Sequence, residues 1–456
     1  MDLPSKKNAG SSSMDNALKI NRVKYAKKPR LAMVNKRHNV RHFFDKTNYT
    51  NADSEMVCKI ISSTDFINPA NCYIVMDLQV TLLAGTAAAD AYYLPRGIGA
   101  GSLFEQVYVS TRDGTQIELI QHADVATRAK IWCRCQPDYL KNYAQVSQVD
   151  APNDLNNLLI ADPANADLKT KTKVIIPLYW ICGLFNPDND LIPPQLSSNL
   201  RIRLTLNNIK KMLYKVGTTN EIVKLNIENP VIVTDNLSMM PQVQKAVMDN
   251  CATGKDGLQF SFETCFGQQG TAPSTAVDEQ VNKSVGLASK VCWIYQDYQN
   301  SAAATGNVSR GDFTGSSFCK TVEQRVRLGD LYWHVSALQT DSPQQTQEFY
   351  HNTVYSCTKT DCRAPPYPIP YKVWSSGITT TTGGVAIDAS DKYYNYNEQT
   401  LERSDVLESS GLPINSGRAL VISNKFNGST ADRIIKSHLY YLTTLDIFPT
   451  NVVVNI

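Results

Sequence analysis

The sequence predicts an all-β protein built as two tandem sandwich or jelly-roll units, with a few short helices and long surface loops behind a basic flexible arm. Three observations carry this. Runs with strict period-two alternation recur along the 456 residues, β-branched residues and 22 tyrosines are frequent, and helical patterns are confined to three short stretches. Alternating strands and helices would have signalled a parallel sheet, whereas strands joined by loop-rich returns signal antiparallel sandwiches. A hydrophobic share of 42% against 19% charged residues is enough to bury sizeable cores.

Residues 1–46 form the arm. Lys6, Lys7, Lys19, Arg22, Lys24, Lys27, Lys28, Arg30, Lys36, Arg37, Arg41 and Lys46 face only Asp2, Asp15 and Asp45, so the arm carries +9 and the rest of the chain −6. Few large apolar residues and no sustained period are available to offset the entropy of ordering, so the arm is expected to be mobile. Clustered Lys and Arg bind phosphate backbones by releasing counterions, which makes nucleic acid the natural partner. A nuclear-import signal around Lys24 to Arg30 and a solubilising tail are the other readings of the same composition.

Residues 47–240 are expected to form the first unit. Cys72, Ile74, Met76, Leu78, Val80 and Leu82 alternate with polar neighbours such as Asp77, Gln79 and Thr81, the mark of a half-buried strand. Leu103–Ser110 and Thr115–Ile120 flank Asp113-Gly114, a hairpin turn signal. Leu200, Ile202, Leu204 and Leu206, then Val223, Leu225 and Ile227, alternate in the same way and make two further strands of a sheet with one wet face.

The pattern restarts after Pro241, so 241–456 is expected to be the second unit. Leu258, Phe260, Phe262 and Phe266 are placed on one face, and Val291, Trp293 and Tyr295 on another. Strands are also expected in Val326–Ser336, Ala419–Ser423 and Leu439–Phe448, with surface loops at Gly267–Asn282, Asn300–Ser317 and Asp361–Ser390. Short helices are predicted at Ala123–Trp132, Pro241–Asn250 and Pro343–Tyr355, the last with Ser342 as N-cap.

No motif for catalysis, metal or cofactor stands out. The 11 cysteines include only two close pairs, Cys133/Cys135 and Cys357/Cys362, and neither has the spacing or the mate of a zinc site, so buried free thiols are expected. The six histidines are scattered. In GIGAGS (97–102) Ser102 stands where a dinucleotide fingerprint needs glycine, and in ATGKDG (252–257) Asp256 follows Lys255 where a phosphate loop needs Ser or Thr. The longest nearly apolar run, Val174–Phe185, falls short of the ~20 residues of a membrane-spanning helix. The first 15 residues lack the apolar core of a secretory signal, which suggests folding in a reducing compartment.

Several segments, taken in order, resemble one family. PRGIGAGSLFEQVYVSTRDGTQIELIQ (95–121) is similar to the glycine-rich turn, strand, tight turn and strand of double jelly-roll major capsid proteins. IIPLYWICGLFNPDNDLIPPQLSSNLRIRLTLN (175–207) resembles the family's stretch into the last strands of the first roll, with Ile176-Pro177-Leu178, Ile192-Pro193 and Leu200–Leu206 as its elements. Residues 229–249, 284–296 and 328–350 look like the passage into the second roll and its later strands. The nearest relatives implied are capsid proteins of polinton-like viruses, adintoviruses and virophages.

The resemblance implies two eight-stranded rolls, no enzymatic activity and no cofactor. It implies a virion protein whose homotrimers form pseudo-hexameric capsomers of an icosahedral shell around the genome. Its partners would be neighbouring capsomers and separate penton and minor capsid proteins, and it would be made in the host cytoplasm, with nuclear import for assembly as a variant. Lys6 to Arg41 of the arm would then face the capsid interior and the packaged nucleic acid. The first 46 residues match nothing in that family, and their basicity is more familiar from single jelly-roll capsids. A single jelly-roll shell protein with a protruding domain, from a small RNA or single-stranded DNA virus, is therefore the alternative, followed by a β-sandwich binding module.

Overall fold

The computed structural model describes residues 34–61, 64–82, 91–95, 98–134, 144–147, 159–161, 171–198, 200–216, 223–253, 257–272, 275–297, 321–333, 336–339, 347–348, 351, 381–382, 385–386, 396–401, 411–415, 417–426, 433–448 and 452–456. Among the described residues, sixteen strands form the main sheets, with shorter strands such as Asn48–Thr50 and Val452–Asn455 paired onto them. In the first half they are β1 (Val34–Phe43), β2 (Glu55–Lys59), β3 (Phe66–Leu82), β4 (Phe104–Ser110), β5 (Gln116–Gln121), β6 (Thr172–Pro177), β7 (Arg201–Leu206) and β8 (Val223–Met239). In the second half they are β9 (Leu258–Ala272), β10 (Ala276–Val281), β11 (Val285–Asp297), β12 (Thr321–Leu328), β13 (Leu331–Tyr332), β14 (Tyr396–Thr400), β15 (Leu420–Phe426) and β16 (Arg433–Ile447).

The first half pairs in the orders β1-β8-β3-β6 and β2-β7-β4-β5, and the second in the orders β9-β16-β11-β14 and β10-β15-β12-β13. With each half numbered one to eight, both read 1-8-3-6 and 2-7-4-5, which is the topology of a jelly roll. The chain is therefore a double jelly roll. Because the second half repeats the strand order of the first, it is not a protruding domain of another construction, and the single-roll alternative is set aside.

The alternation read in the sequence is what fills the first core. Ile74, Met76 and Leu78 on β3, Val107 and Val109 on β4, Ile202 and Leu204 on β7, and Leu225 and Ile227 on β8 all point inward and are fully buried. Arg201, Arg203 and Thr205 on the other face of β7 stay half-exposed. Two helices flank the rolls, α1 (Ala123–Arg134) and α2 (Pro241–Thr253), both near their predicted places. GIGAGS leads into a 3-10 turn at Gly99–Leu103, directly before β4.

Four expectations need correction. The segment 1–46, expected to be a mobile arm, is not one at its described end, because Val34–Phe43 is the first strand of the first roll, paired with β8 from Val34↔Met239 to Phe43↔Val231. Its charges hid its alternation, in which His42 and Phe44 turn inward while Arg37, Asn39, Arg41 and Phe43 face out. Gly267–Asn282 is not a loop, since β9 runs to Ala272 and β10 spans Ala276–Val281, both fully paired. Polar glutamines and small residues there signalled a loop, but long-range pairing with β16 and β15 overrides local propensity. Phe266 packs against the second core, whereas Phe260 and Phe262 join the first. The expected strand Val326–Ser336 is a hairpin, β12 turning into β13 at Gly329-Asp330. The loop 300–317 lies outside the described residues, and so do most of 361–390 and of the helix 343–355.

Candidate functional site: the basic strand and the seam between the rolls

Of the basic residues singled out in the arm, Lys6, Lys7, Lys19, Arg22, Lys24, Lys27, Lys28 and Arg30 lie outside the described residues. Lys36, Arg37 and Arg41 are on β1, and all three are exposed. They are not equivalent. Arg37 grips Asp235 of β8 in a two-pronged ion pair, with Nε donating to Oδ1 at 2.8 Å and Nη2 to Oδ2 at 2.6 Å. Asn68 and Asn71 donate to the same carboxylate at 2.9 and 3.2 Å. Burial of Asp235 pulls its pKa upward, but the Arg37, Asn71 and Asn68 hydrogen bonds outweigh that and leave it below the ordinary carboxylate value. The hydrogen bond and charge of Asp235 raise Arg37 further. Arg37 is thus a structural cation that ties β1 to the roll.

His42 makes the second tie. Its Nδ1 accepts from the Ile61 amide at 3.3 Å, so the proton sits on Nε2, which donates to Thr234 Oγ1 at 2.9 Å, and Thr234 in turn donates to Asn236 at 2.8 Å. Burial lowers the pKa of this imidazole to about 4, so it is neutral in the folded chain.

The two rolls meet over a buried seam that the sequence reading did not foresee. On β11 and β16, Val291, Trp293, Leu439 and Tyr441 line the second core, while Cys292, Ile294 and Tyr440 join the first. The first sheet of the second roll is therefore covered on both faces, and β16 is buried at every residue from Ile434 to Tyr441. That includes Lys436, Ser437 and His438.

At the centre of the seam sits the Glu118 carboxylate of β5, 2% exposed. It accepts from Thr264 Oγ1 of β9 at 2.6 Å, from Cys182 Sγ at 2.7 Å, and from the amides of Gly183 at 2.9 Å and Leu184 at 3.3 Å. Burial, then the Glu118 charge, pushes the Cys182 thiol well above its ordinary value, with Lys130 pulling the other way. Two glycines permit the approach. A Cβ on Gly183 would lie 2.0 Å from the Glu263 carbonyl oxygen, and one on Gly267 would lie 2.3 Å from that of Gln121. The His438 Nε2–H donates to the Gln121 carbonyl at 3.0 Å, and burial lowers its pKa to about 4.

The signal for the seam was present but faint. Glu118 is the single acid in the strand QIELIQ, and His438 directly precedes the apolar stretch Leu439–Leu442 of β16. Among the described residues, Cys58, Cys72, Cys182, Cys251, Cys265 and Cys292 are buried free thiols, as expected for them. Cys58 and Cys72 are pushed up to about 12, chiefly by burial.

No family model and no curated protein matches the sequence. Solved structures do match the fold. The Sputnik virophage structure aligns with a TM-score of 0.58 at 10% identity, over 100% of this chain and 93% of that one. The Faustovirus major capsid protein aligns at 0.57 and 10%, over 93% and 92% of the two chains. The mavirus major capsid protein aligns at 0.53 and 10%, over 100% and 95%. These are double jelly-roll proteins along nearly their whole length, as this chain is.

Proposed function

We propose that this chain is the major capsid protein of a double-stranded DNA virus or related element. Three copies close into a pseudo-hexagonal capsomer, and the capsomers tile an icosahedral shell around the genome. The observation that carries this reading is the pair of complete rolls with one strand order, fused through a shared buried core. A rigid pair of similar rolls, repeated three times, presents six similar edges, which is the shape a hexagonal lattice needs. Lattice cohesion then comes from many modest contacts acting together. Separate penton proteins fill the five-fold vertices, where six edges do not fit, and minor capsid proteins contact the capsomers from inside.

The basic residues from Lys6 to Arg30, with Lys36 and Arg41, face the interior and hold nucleic acid through counterion release. Arg37 is not among them, being spent on Asp235. The rolls occupy 34–240 and 241–456, and assembly follows synthesis in the host cytoplasm or import through 24–30. Light scattering with electron microscopy on the purified chain tests this. Particles of three times the 50.6 kDa chain mass, with hexagonal outlines, are expected. A monomer at every concentration and salt would overturn the capsid reading. Deleting residues 1–33 should leave that mass unchanged while lowering the nucleic-acid content of assembled particles.

A further inference from the structure

β1 is held to the first roll by few side chains. Among the described residues it has one strand neighbour along its length, β8. Past its end, the chain meets β2 at the Phe44↔Cys58 bridge and through the Asp45 amide, which donates to the Val57 carbonyl at 2.9 Å. From Val34 to Phe43 the one buried residue is His42, 5% exposed, and the others are half-buried or exposed. A strand at a sheet edge with so little burial belongs to the part of a fold that opens most readily. Two polar ties add to its backbone ladder: the Arg37 pair with Asp235, and His42.

His42 joins three segments, and it does so only as a neutral ring. Nδ1 accepts from the Ile61 amide, two residues past β2, and Nε2–H donates to Thr234 of β8. A second proton would sit on Nδ1 and point at the Ile61 N–H, turning that hydrogen bond into a repulsion and placing a charge in a buried site. The groups around the ring offer that charge no partner. On β1, Arg37 is committed to Asp235 of β8, and His38 lies 3.5 Å from Asp65. On β8, Thr234 and Asn236 are uncharged. On β2, the Cys58 thiol donates to the His42 carbonyl at 3.6 Å and, pushed up to about 12, stays neutral, while Lys59 is exposed. Asp45 takes the Tyr49 hydroxyl. With β1 detached, the imidazole would be hydrated and would take its proton at the ordinary value of about 6.5.

We infer that His42 is an acid-sensitive latch, whose protonation releases β1 from β8 while the other strands of the first roll stay paired. The basic segment that precedes β1 goes with it, and the Cys58 thiol, 1% exposed beneath the latch, is uncovered. Arg37 sets the baseline of this equilibrium, because Asp235 is held below the ordinary carboxylate value and keeps its charge in mild acid. His42 sets the response to pH. The device belongs to the single chain and does not depend on the capsid reading.

The test is amide hydrogen exchange of the full chain at pH 7 and pH 5, read by mass spectrometry and corrected for the intrinsic rate at each pH. A folded value of about 4 against about 6.5 in the open form makes opening of β1 about 20-fold more populated at pH 5 than at pH 7. Protection of peptides covering residues 34–44 should fall by that factor relative to peptides of β3, and His42→Gln should abolish the difference between the two pH values. Arg37→Ala should loosen β1 by one factor at both. As a second readout, dithiodipyridine, which reacts with thiols at acid pH, should label Cys58 of the wild type faster at pH 5 relative to buried Cys292. That measurement decides the matter if His42→Gln already frees β1 at pH 7. Protection of β1 that tracks β3 between the two pH values would overturn the inference. So would an equal drop in His42→Gln and wild type, or a Cys58 whose labelling relative to Cys292 does not rise in acid.

Discussion

Replacing Glu118 with alanine probes how firmly the two rolls are joined. The side chain is 2% exposed and accepts from Thr264, Cys182, Gly183 and Leu184. Alanine removes every acceptor at once and leaves two backbone amides, a hydroxyl and a thiol without partners in a site closed to solvent. Each orphaned donor costs about 1–3 kcal/mol, and water entering the vacated space recovers part of it, so a net loss of about 3–5 kcal/mol is expected. Glu118→Gln keeps the shape and one acceptor oxygen but aims an amide NH2 at donors, and should cost about 2 kcal/mol. The assay is guanidinium unfolding of the full chain, with amide hydrogen exchange as the local readout. Exchange at Gly183 and Leu184 should accelerate in both variants, more in alanine. A loss under about 1 kcal/mol in Glu118→Ala, with those two amides still protected, would refute the view that this carboxylate organises the seam.

Other perturbations follow the same logic. Gly267→Ala would drive a Cβ to within 2.3 Å of the Gln121 carbonyl and should destabilise the chain by about 3 kcal/mol, measured by the shift of its unfolding midpoint. Arg37→Ala should cost about 1–2 kcal/mol, less than for a fully buried pair because Arg37 is 56% exposed, and should leave nucleic-acid binding unchanged in a filter-binding titration. His42 and His438 have folded pKa values lowered to about 4, so their contribution is complete above the ordinary histidine value of about 6.5 and is lost as pH falls towards 4. Between pH 7 and pH 5 each should cost about 2 kcal/mol, and His42→Gln with His438→Gln should flatten the pH dependence of the midpoint.

Most strands were legible because a half-buried strand writes its own pattern. Cys72 to Leu82 and Leu200 to Leu206 alternate with period two, and both are strands with their apolar side inward. The hairpin turn at Asp113-Gly114 and the helix starting at Pro241 carried equally local signals. β1 escaped because composition was weighed ahead of period. Its lysines, arginines and histidines read as a solvated tail, yet Arg37 is neutralised by Asp235, 198 residues away in sequence. Gly267–Asn282 escaped for a related reason, since its strands depend on partners 139 to 171 residues further on.

By itself the sequence determined the all-β class, the twofold division of the chain, the basic amino-terminal segment and the inward faces of the first roll, all of which depend on neighbours a few residues apart. Only the tertiary structure decided that β1 belongs to the first roll, that Glu118 and His438 lie in a dry seam, and that the two halves share one strand order. Alternation reports that a face is buried but not against what. The identity of the covering surface is set by long-range packing, and the Ile434–Tyr441 stretch of β16, buried on one side in its own core and on the other against the first roll, carries no alternation from which that could be read.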